Sequence, residues 1–387
     1  MKVFLDHAST TPVLKEAIDS LLIAMAEVGN PSSVHTHGQS ARAHLEDARD
    51  DLARALGCNR SEVIFNSGGT ESNNQAIKGI FWARNKDRSR KVVISAPTEH
   101  HALLDPIHWL CEHENAQLKL VEVKANGELD LDSLERLVAE HGDDVALISL
   151  MWVNNETGVI TDIHRVCDIA GQIPVHTDAV AAVGKVPISF SSSGLTAMSV
   201  SGHKFGAPIG IGALLVSRSF KPESLLHGGG QERGLRSGTM NYPMAKALAV
   251  AALSAVANQQ ANQAKFSRLR DHFEAELVKR IPDLVITASG ANRVSSTSNV
   301  ILPGTKSDSM LFLLDQQGLS VSAGSACQAG VLGPSHVLLG MGYSEDLASA
   351  CLRISFGHDS DLDAVDFAVK AIDSAHVSAL KANALSA

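Results

Sequence analysis

The chain runs to 387 residues, 44% of them hydrophobic and 19% charged, with a formal net charge of −9. That length buries a large core and fits two domains, and the charge content is that of an ordinary soluble globular protein. The acidic balance excludes a general nucleic-acid binder, which sets clustered Lys and Arg against phosphate, and the longest apolar run, residues 145–153, is about half of what a membrane span requires.

The opening residues, MKVFLDHASTTP, have neither an apolar core nor a small-residue cleavage site, so no secretory signal is read there and a cytoplasmic protein is expected. From about residue 62, short apolar strands alternate with helical stretches. Strands are predicted at 62–66, 91–96, 118–123, 145–152, 173–179, 195–201 and 212–217, and helices at 71–86, 101–115, 131–141 and 162–171. Continuous apolar strands alternating with helices indicate a mostly parallel sheet covered on both faces, an α/β fold. The basic stretch RNKDRSRK at 84–91 reads as a solvated helix end. Near residue 244 the pattern changes to one long helical region reaching about residue 281. Strand-like DLVITA and TSNVILP follow, then helix-like SDSMLFLLDQQG, strand-like LSVSA and CLRISFG, and a terminal amphipathic helix capped by Asp359 or Ser360. A large domain is expected over residues 12–250. A smaller α/β domain is expected over 251–387, with residues 1–11 joining it, an assignment that spacing alone does not give.

Five cysteines, at 58, 111, 167, 327 and 351, form no CxxC pair and no metal-ligand spacing, and the odd count suits reduced thiols. Four lie in helix-like or strand-like surroundings and read as small buried apolar residues. Cys327 does not. The 17 histidines include HTH at 35–37 and HH at 100–101, but no carboxylate or cysteine stands at matching spacing, and no metal is expected.

Three stretches carry chemistry. VIFNSGGTESNNQAI (63–77) is a strand, a Ser-Gly-Gly-Thr turn and a helix. Glycines let backbone approach an anion, and free amides at a helix start favour negative charge. On its own this turn fits a phosphate site or a plain tight turn; it is neither a Walker A sequence nor a complete GxGxxG. PVHTDAV ends a strand with Asp178, at the rim where open α/β sheets bind ligands, although a turn aspartate would look the same. SGHKFG (201–206) follows another strand and puts Lys204 on that rim, as a surface lysine or as an amine activated by lost hydration. Taken together, the three fit one ligand. A phosphate at 69–70, a protonated ring nitrogen at Asp178 and an aldehyde on Lys204 describe pyridoxal 5′-phosphate, PLP.

The chain resembles cysteine desulfurases of the NifS/IscS type, in the class V aminotransferase group of fold-type I PLP enzymes. The stretches that carry the resemblance are LDHASTTP (5–12), GNPSSVHTHG (29–38), SGGTESNN (67–74), TEHHALL (98–104), VNNETGV (153–159), HTDAV (176–180), SGHKFGAPIGIGAL (201–214), HGGGQERGLRSGTMN (227–241), SAGSACQAG (322–330) and LRISFG (352–357). The resemblance implies that Lys204 tethers PLP as a Schiff base, that Asp178 pairs with the pyridine nitrogen, and that His101 stacks on the ring and shares in proton transfer. It implies phosphate binding by Gly69, Thr70, Ser201 and His203, with Thr239 reaching the site of a second subunit in a homodimer. Asn155 is implied beside the cofactor's phenolic oxygen and the substrate carboxylate, and Arg353 as that carboxylate's bidentate partner. The Cys327 thiolate is implied to attack the sulfur of substrate L-cysteine, leaving a persulfide on the enzyme and releasing alanine. The long segment between Cys327 and Arg353 resembles the NifS/IscS group rather than the SufS-like group with its short loop. It implies delivery to a sulfur-acceptor protein, a scaffold or carrier serving Fe–S cluster assembly or tRNA and cofactor thiolation.

The sequence departs from the family at three points. Ala181 stands where a glutamine usually hydrogen-bonds the phenolic oxygen, His7 where asparagine is common, and Ile209 where lysine is common. Selenocysteine lyase or another class V activity is the alternative within the same chemistry. A non-catalytic PLP-fold assembly partner is the alternative outside it, kept open by Ala181 and opposed by an intact Lys204, Asp178 and Cys327.

Overall fold

Residues 2–324 and 333–386 are described by the structure, a computed structural model. In chain order the strands are β1 (Val3–Phe4), β2 (Val63–Asn66), β3 (Val92–Ser95), β4 (Gln117–Leu120), β5 (Val145–Ser149), β6 (Val175–Asp178), β7 (Ala197–Ser201), β8 (Gly212–Val216), β9 (Val285–Ile286), β10 (Thr297–Ile301), β11 (Leu319–Ser320) and β12 (Cys351–Ser355). Strands β2 to β8 form one sheet in the order β2-β8-β7-β6-β5-β3-β4. Only β8 opposes its neighbours; β3 to β7 pair in parallel, and β2, antiparallel to β8, runs the same way as they do. Strands β2, β3 and β5 to β8 are buried along their whole length because helices cover both faces, which is why most of them read as apolar runs rather than as alternation; β6, Val-His-Thr-Asp, is the exception. All seven predicted strands are present, each within three residues of the expected ends.

Two helices precede the region where elements were predicted, Lys15–Met25 and Thr36–Leu56. The second buries Ala41, Leu45, Ala48, Leu52 and Leu56, one stripe at three- and four-residue spacing, and ends at Gly57 in the left-handed conformation (φ 63°). Its partner is the alanine-rich Tyr242–Ala257 helix, whose small residues allow close approach. The long helical region expected from 244 to 281 is two helices, Tyr242–Ala257 and Gln259–Arg280. They part at Asn258, whose side-chain amide donates to the Ser254 carbonyl at 2.9 Å. That polar side chain competes with the helical ladder and ends the first helix.

A second core gathers Phe273, Leu277, Leu314, Val369 and Ile372 around the antiparallel set β9-β10-β12. Val3 and Leu5 belong to this core, and β1 pairs in parallel with β11. The terminal helix, Leu362–Ser386, is capped by Asp361, whose Oδ1 accepts from Ala364 N at 2.9 Å, and not by the expected Asp359 or Ser360. Asp359 instead pairs with His7, and Ser360 Oγ accepts from Gly357 N. Among the described residues no helix is long and apolar enough to cross a membrane.

Candidate active site

The parallel strands end on one rim of the large sheet. There Ser67–Thr70 follow β2, His100 follows β3, Met151–Asn155 follow β5, Val180 and Ala181 follow β6, and His203 and Lys204 follow β7. They enclose a cleft of about 230 Å³, lined by Gly69, Thr70, Asn155, Asp178, Ala181, Ser201, His203 and Lys204 among others. Most residues singled out in the sequence therefore meet in one place.

The Gly69–Arg84 helix opens on this cleft. Its N-cap, Gly68, supplies no side-chain cap to the first turn, so the first amides are left for a ligand. A side chain at Gly69 would meet Val180 Cγ2 at 2.7 Å, which leaves glycine as the residue that fits against that wall. Four residues along the same helix, Asn73 Nδ2 donates to Asp178 Oδ2 at 2.7 Å, while Val180 N donates to Asp178 Oδ1 at 2.9 Å. Asp178 is thus an oriented carboxylate only 7% exposed. Asn73 was missed in the sequence; its i+4 spacing from Gly69 puts it on the face of the helix that looks into the cleft.

Lys204 Nζ donates to the carbonyl oxygens of Ala8 and Ser9, at 2.7 and 2.8 Å. The N-terminal segment is brought over the lysine by Thr11 N, which donates to the His203 carbonyl, and by Ala8 N, which donates to Ser355 Oγ. Burial, and then the Lys204 charge, push the His203 imidazole down to about 4, so it stands neutral beside Ser201 at neutral pH. His7, one of the departures, has a structural role here. Its Nδ1 lies 2.9 Å from Thr11 Oγ1, its Nε2 lies 3.1 Å from Asp359, and Gly357 leaves room for the ring.

Of the histidine pair, His100 lines the cleft and, among the described residues, His101 does not. His101 Nδ1 instead lies 3.1 Å from Asp105, and its ring lies 4.7 Å from that of His336. The cause is the helix start. His100 is the N-cap of the His101–Glu114 helix, its Nδ1 accepting from Ala102 N at 3.0 Å, and the next residue along is rotated away. Burial lowers the His100 pKa, partly offset by Asp178, and because Nδ1 accepts from Ala102 N, the neutral ring carries its proton on Nε2. Below it Glu99 is fully buried, with Oε1 accepting from Met151 N at 2.8 Å; burial foremost, and Asp178's charge after it, hold its carboxyl well above the usual range.

Asn155 Oδ1 is buried without a hydrogen-bond partner among the described residues. Arg353 stands behind it rather than on the cleft wall, Nη1 donating to the Asn155 carbonyl at 3.0 Å and Nη2 to Asp6 at 2.9 Å, with Nε unpartnered. Thr239 is exposed and outside the cleft of its own chain. Cys327 lies outside the described residues. Of the other thiols, burial pushes Cys58 and Cys167 up to about 12 and Cys351 up to about 11, which makes them poor nucleophiles.

The orphaned Asn155 oxygen, the glycine cradle under free helix amides, the oriented Asp178 and the half-buried amine of Lys204 match PLP group by group. The comparisons agree. The aminotransferase class-V family profile spans residues 3–367.

The chain belongs to this family.

An IscS-like cysteine desulfurase of Mycobacterium tuberculosis is 43% identical over 98% of this chain and 97% of its own length. The cysteine desulfurase NifS of Azotobacter vinelandii is 36% identical over 96% and 91%. A solved NifS-like protein superposes with a TM-score of 0.89 at 31% identity, over 97% of this chain and 99% of that one. The sheet, the helix cradle and the rim lysine of this class V member are those of a PLP-dependent enzyme.

Proposed function

We infer that this chain is a PLP-dependent cysteine desulfurase, taking sulfur from L-cysteine and leaving L-alanine. The observation that carries the reading is the meeting of Lys204, Asp178 and the Gly69–Thr70 turn in one cleft, in a chain 43% identical to an IscS-like cysteine desulfurase. Bound there, PLP supplies an electron sink that drains charge from the substrate's α- and β-carbons as the carbon–sulfur bond breaks.

The rest falls to the chain's own groups. Lys204 would hold the cofactor by its aldehyde carbon, and its Nζ would carry the proton that moves at the substrate α-carbon. Asp178, fixed by Asn73 and Val180, keeps the ring nitrogen protonated. Gly69 and Thr70, with Ser201 and His203, hold the phosphate, and Thr239 adds a hydroxyl to the site of a second subunit. His100 takes the stacking place assigned to His101 in the sequence. Asn155 and Arg353 hold the substrate carboxylate, for which Arg353 exchanges its present acceptors. The Cys327 thiolate forms a sulfur–sulfur bond as the carbon–sulfur bond breaks, and a proton completes alanine; atoms and electrons balance without an external oxidant.

The division into residues 12–250 and 1–11 with 251–387 is supported by the separate core that Val3 and Leu5 share with the C-terminal elements. A homodimer is supported by an apolar surface on and after the Lys15–Met25 helix, where Leu22, Ile23 and Met25 are 59–66% exposed, and Val28 and Val34 are 83% and 84% exposed. A cytoplasmic location is supported by the need for a thiolate nucleophile, which a reducing compartment preserves. The persulfide sulfur passes to an acceptor protein that serves Fe–S assembly or thiolation.

The test is spectroscopic and chemical together. Purified protein should show the visible absorbance of lysine-bound PLP and release alanine and sulfide from L-cysteine with a thiol. Lys204→Ala should abolish both. Yellow protein that forms no alanine with a thiol or with its acceptor would overturn the reading.

A further inference from the structure

A second cleft, about 320 Å³, shares Lys204 and Ala8 with the first. It lies between the two cores, with Lys185 from the segment after β6 on one side and Ser296 and His358 on the other. Among the described residues no aspartate or glutamate lines it, a notable bias in a chain of net charge −9. Of the carboxylates close by, the half-exposed Asp359 lies 3.1 Å from His7 Nε2, and Glu16 accepts from Ser254 Oγ at 2.9 Å.

Two donors stand there, the half-buried Lys185 ammonium and the Ser296 hydroxyl. Desolvation, and then repulsion from Lys204 and Arg353, push the Lys185 ammonium down to about 8. Ser296 is 3% exposed, and its Oγ has no hydrogen-bond partner among the described residues. A cation beside other cations favours an anion next to it, and a buried hydroxyl left unpaired is costly unless something supplies the missing acceptor. Phe205 and Phe266 line the same cleft and give it apolar walls. Neither Lys185 nor Ser296 takes part in the reaction derived above.

We propose that this cleft is a binding site for a small carboxylate with a short apolar tail, its oxygens held by Lys185 and Ser296 and its tail packed on Phe205 and Phe266. One ammonium matches a monoanion. An α-ammonium group on the ligand would meet the Lys185 ammonium, so amino acids are disfavoured and simple or 2-oxo carboxylic acids fit. The proposal does not rest on the desulfurase reaction, and direct binding separates the two.

Titration calorimetry of the holoenzyme with butyrate, butyramide, L-alanine and inorganic phosphate tests it. Butyrate should bind once per chain, and butyramide and phosphate much more weakly. Lys185→Gln should weaken butyrate by about tenfold or more, and Ser296→Ala by about threefold, as expected for losing a charged and a neutral hydrogen-bond donor. If Lys185→Gln does not fold, Ser296→Ala reads the same site. Absence of butyrate binding to the wild-type holoenzyme overturns the proposal, as does butyramide or phosphate matching butyrate. So does unchanged butyrate affinity in both variants, or butyrate binding that is lost only in Arg353→Lys, which would put the ion in the first cleft.

Discussion

His100 and His101 are adjacent in the chain, yet one caps a helix inside the cleft and the other faces Asp105. Their substitutions should separate cleanly. His100→Ala should lower kcat/KM for alanine formation by about a hundredfold, the low end of what a positioned imidazole contributes, whereas His101→Ala should leave it within about threefold. Equal losses would contradict the assignment. The sequence made Lys204 and Asp178 legible because each ends an apolar strand, and strand ends share a rim. It did not resolve the histidines, since which of two neighbours looks inward depends on where the helix begins, to within one residue.

A third histidine, His176, is fully buried between Ser149 Oγ at 2.8 Å and Ser199 Oγ at 2.9 Å. Burial pushes its pKa down to about 3. With the folded value below the unfolded one, the unfolded state binds the extra proton. Stability is therefore complete above about pH 6.5 and lost as pH falls toward 3. At pH 5 the loss assigned to His176 is about 2 kcal/mol. Urea unfolding at pH 7 and pH 5 should show it, and His176→Asn should shrink the difference; an unchanged difference would remove this histidine as its source.

The loop that carries Thr239 is held by a buried ion pair. Glu232 accepts from Arg49 Nη1 and Nη2 at 2.9 and 2.7 Å and from Phe65 N at 3.0 Å, so the loop is tied to both β2 and the Thr36–Leu56 helix. Arg49 also donates to the Val63 carbonyl and lies over the Phe65 ring. Glu232→Ala leaves a guanidinium buried and uncompensated, and should cost about 3–5 kcal/mol in a denaturant titration. A cost below about 1 kcal/mol, the range of a surface pair, would mean the pair is not buried in solution. At this level most strands were legible because burial on both faces favours apolar residues. The Thr36–Leu56 helix was not. Its buried stripe mixes alanine with leucine among charged residues, a weak periodic signal, and the Arg49–Glu232 contact joins residues 183 apart in the chain.

The exposed apolar residues between Leu22 and Val34 and the position of Thr239 outside its own cleft fit one arrangement, two chains completing each other's sites. Sedimentation should give a dimer. Replacing Leu22 and Ile23 together with glutamate should yield a monomer with at least about tenfold lower activity, since like charges would meet across a contact that excludes water. A fully active monomer would remove the second subunit from the site. The large-sheet architecture was legible in the alternation of strands and helices. The association of residues 1–11 with the C-terminal core was legible only through the resemblance, because a two-stranded parallel contact such as β1 with β11 leaves almost no local pattern.

One experiment bears on the whole account. The reduced holoenzyme is mixed with one equivalent of L-cysteine and no other thiol, and alanine is counted while the protein is digested and weighed by mass spectrometry. The account predicts one alanine per active chain and the mass of one added sulfur atom on the peptide containing Cys327. Alanine without added sulfur, or added sulfur on the peptide of Cys58, Cys111, Cys167 or Cys351, would contradict it.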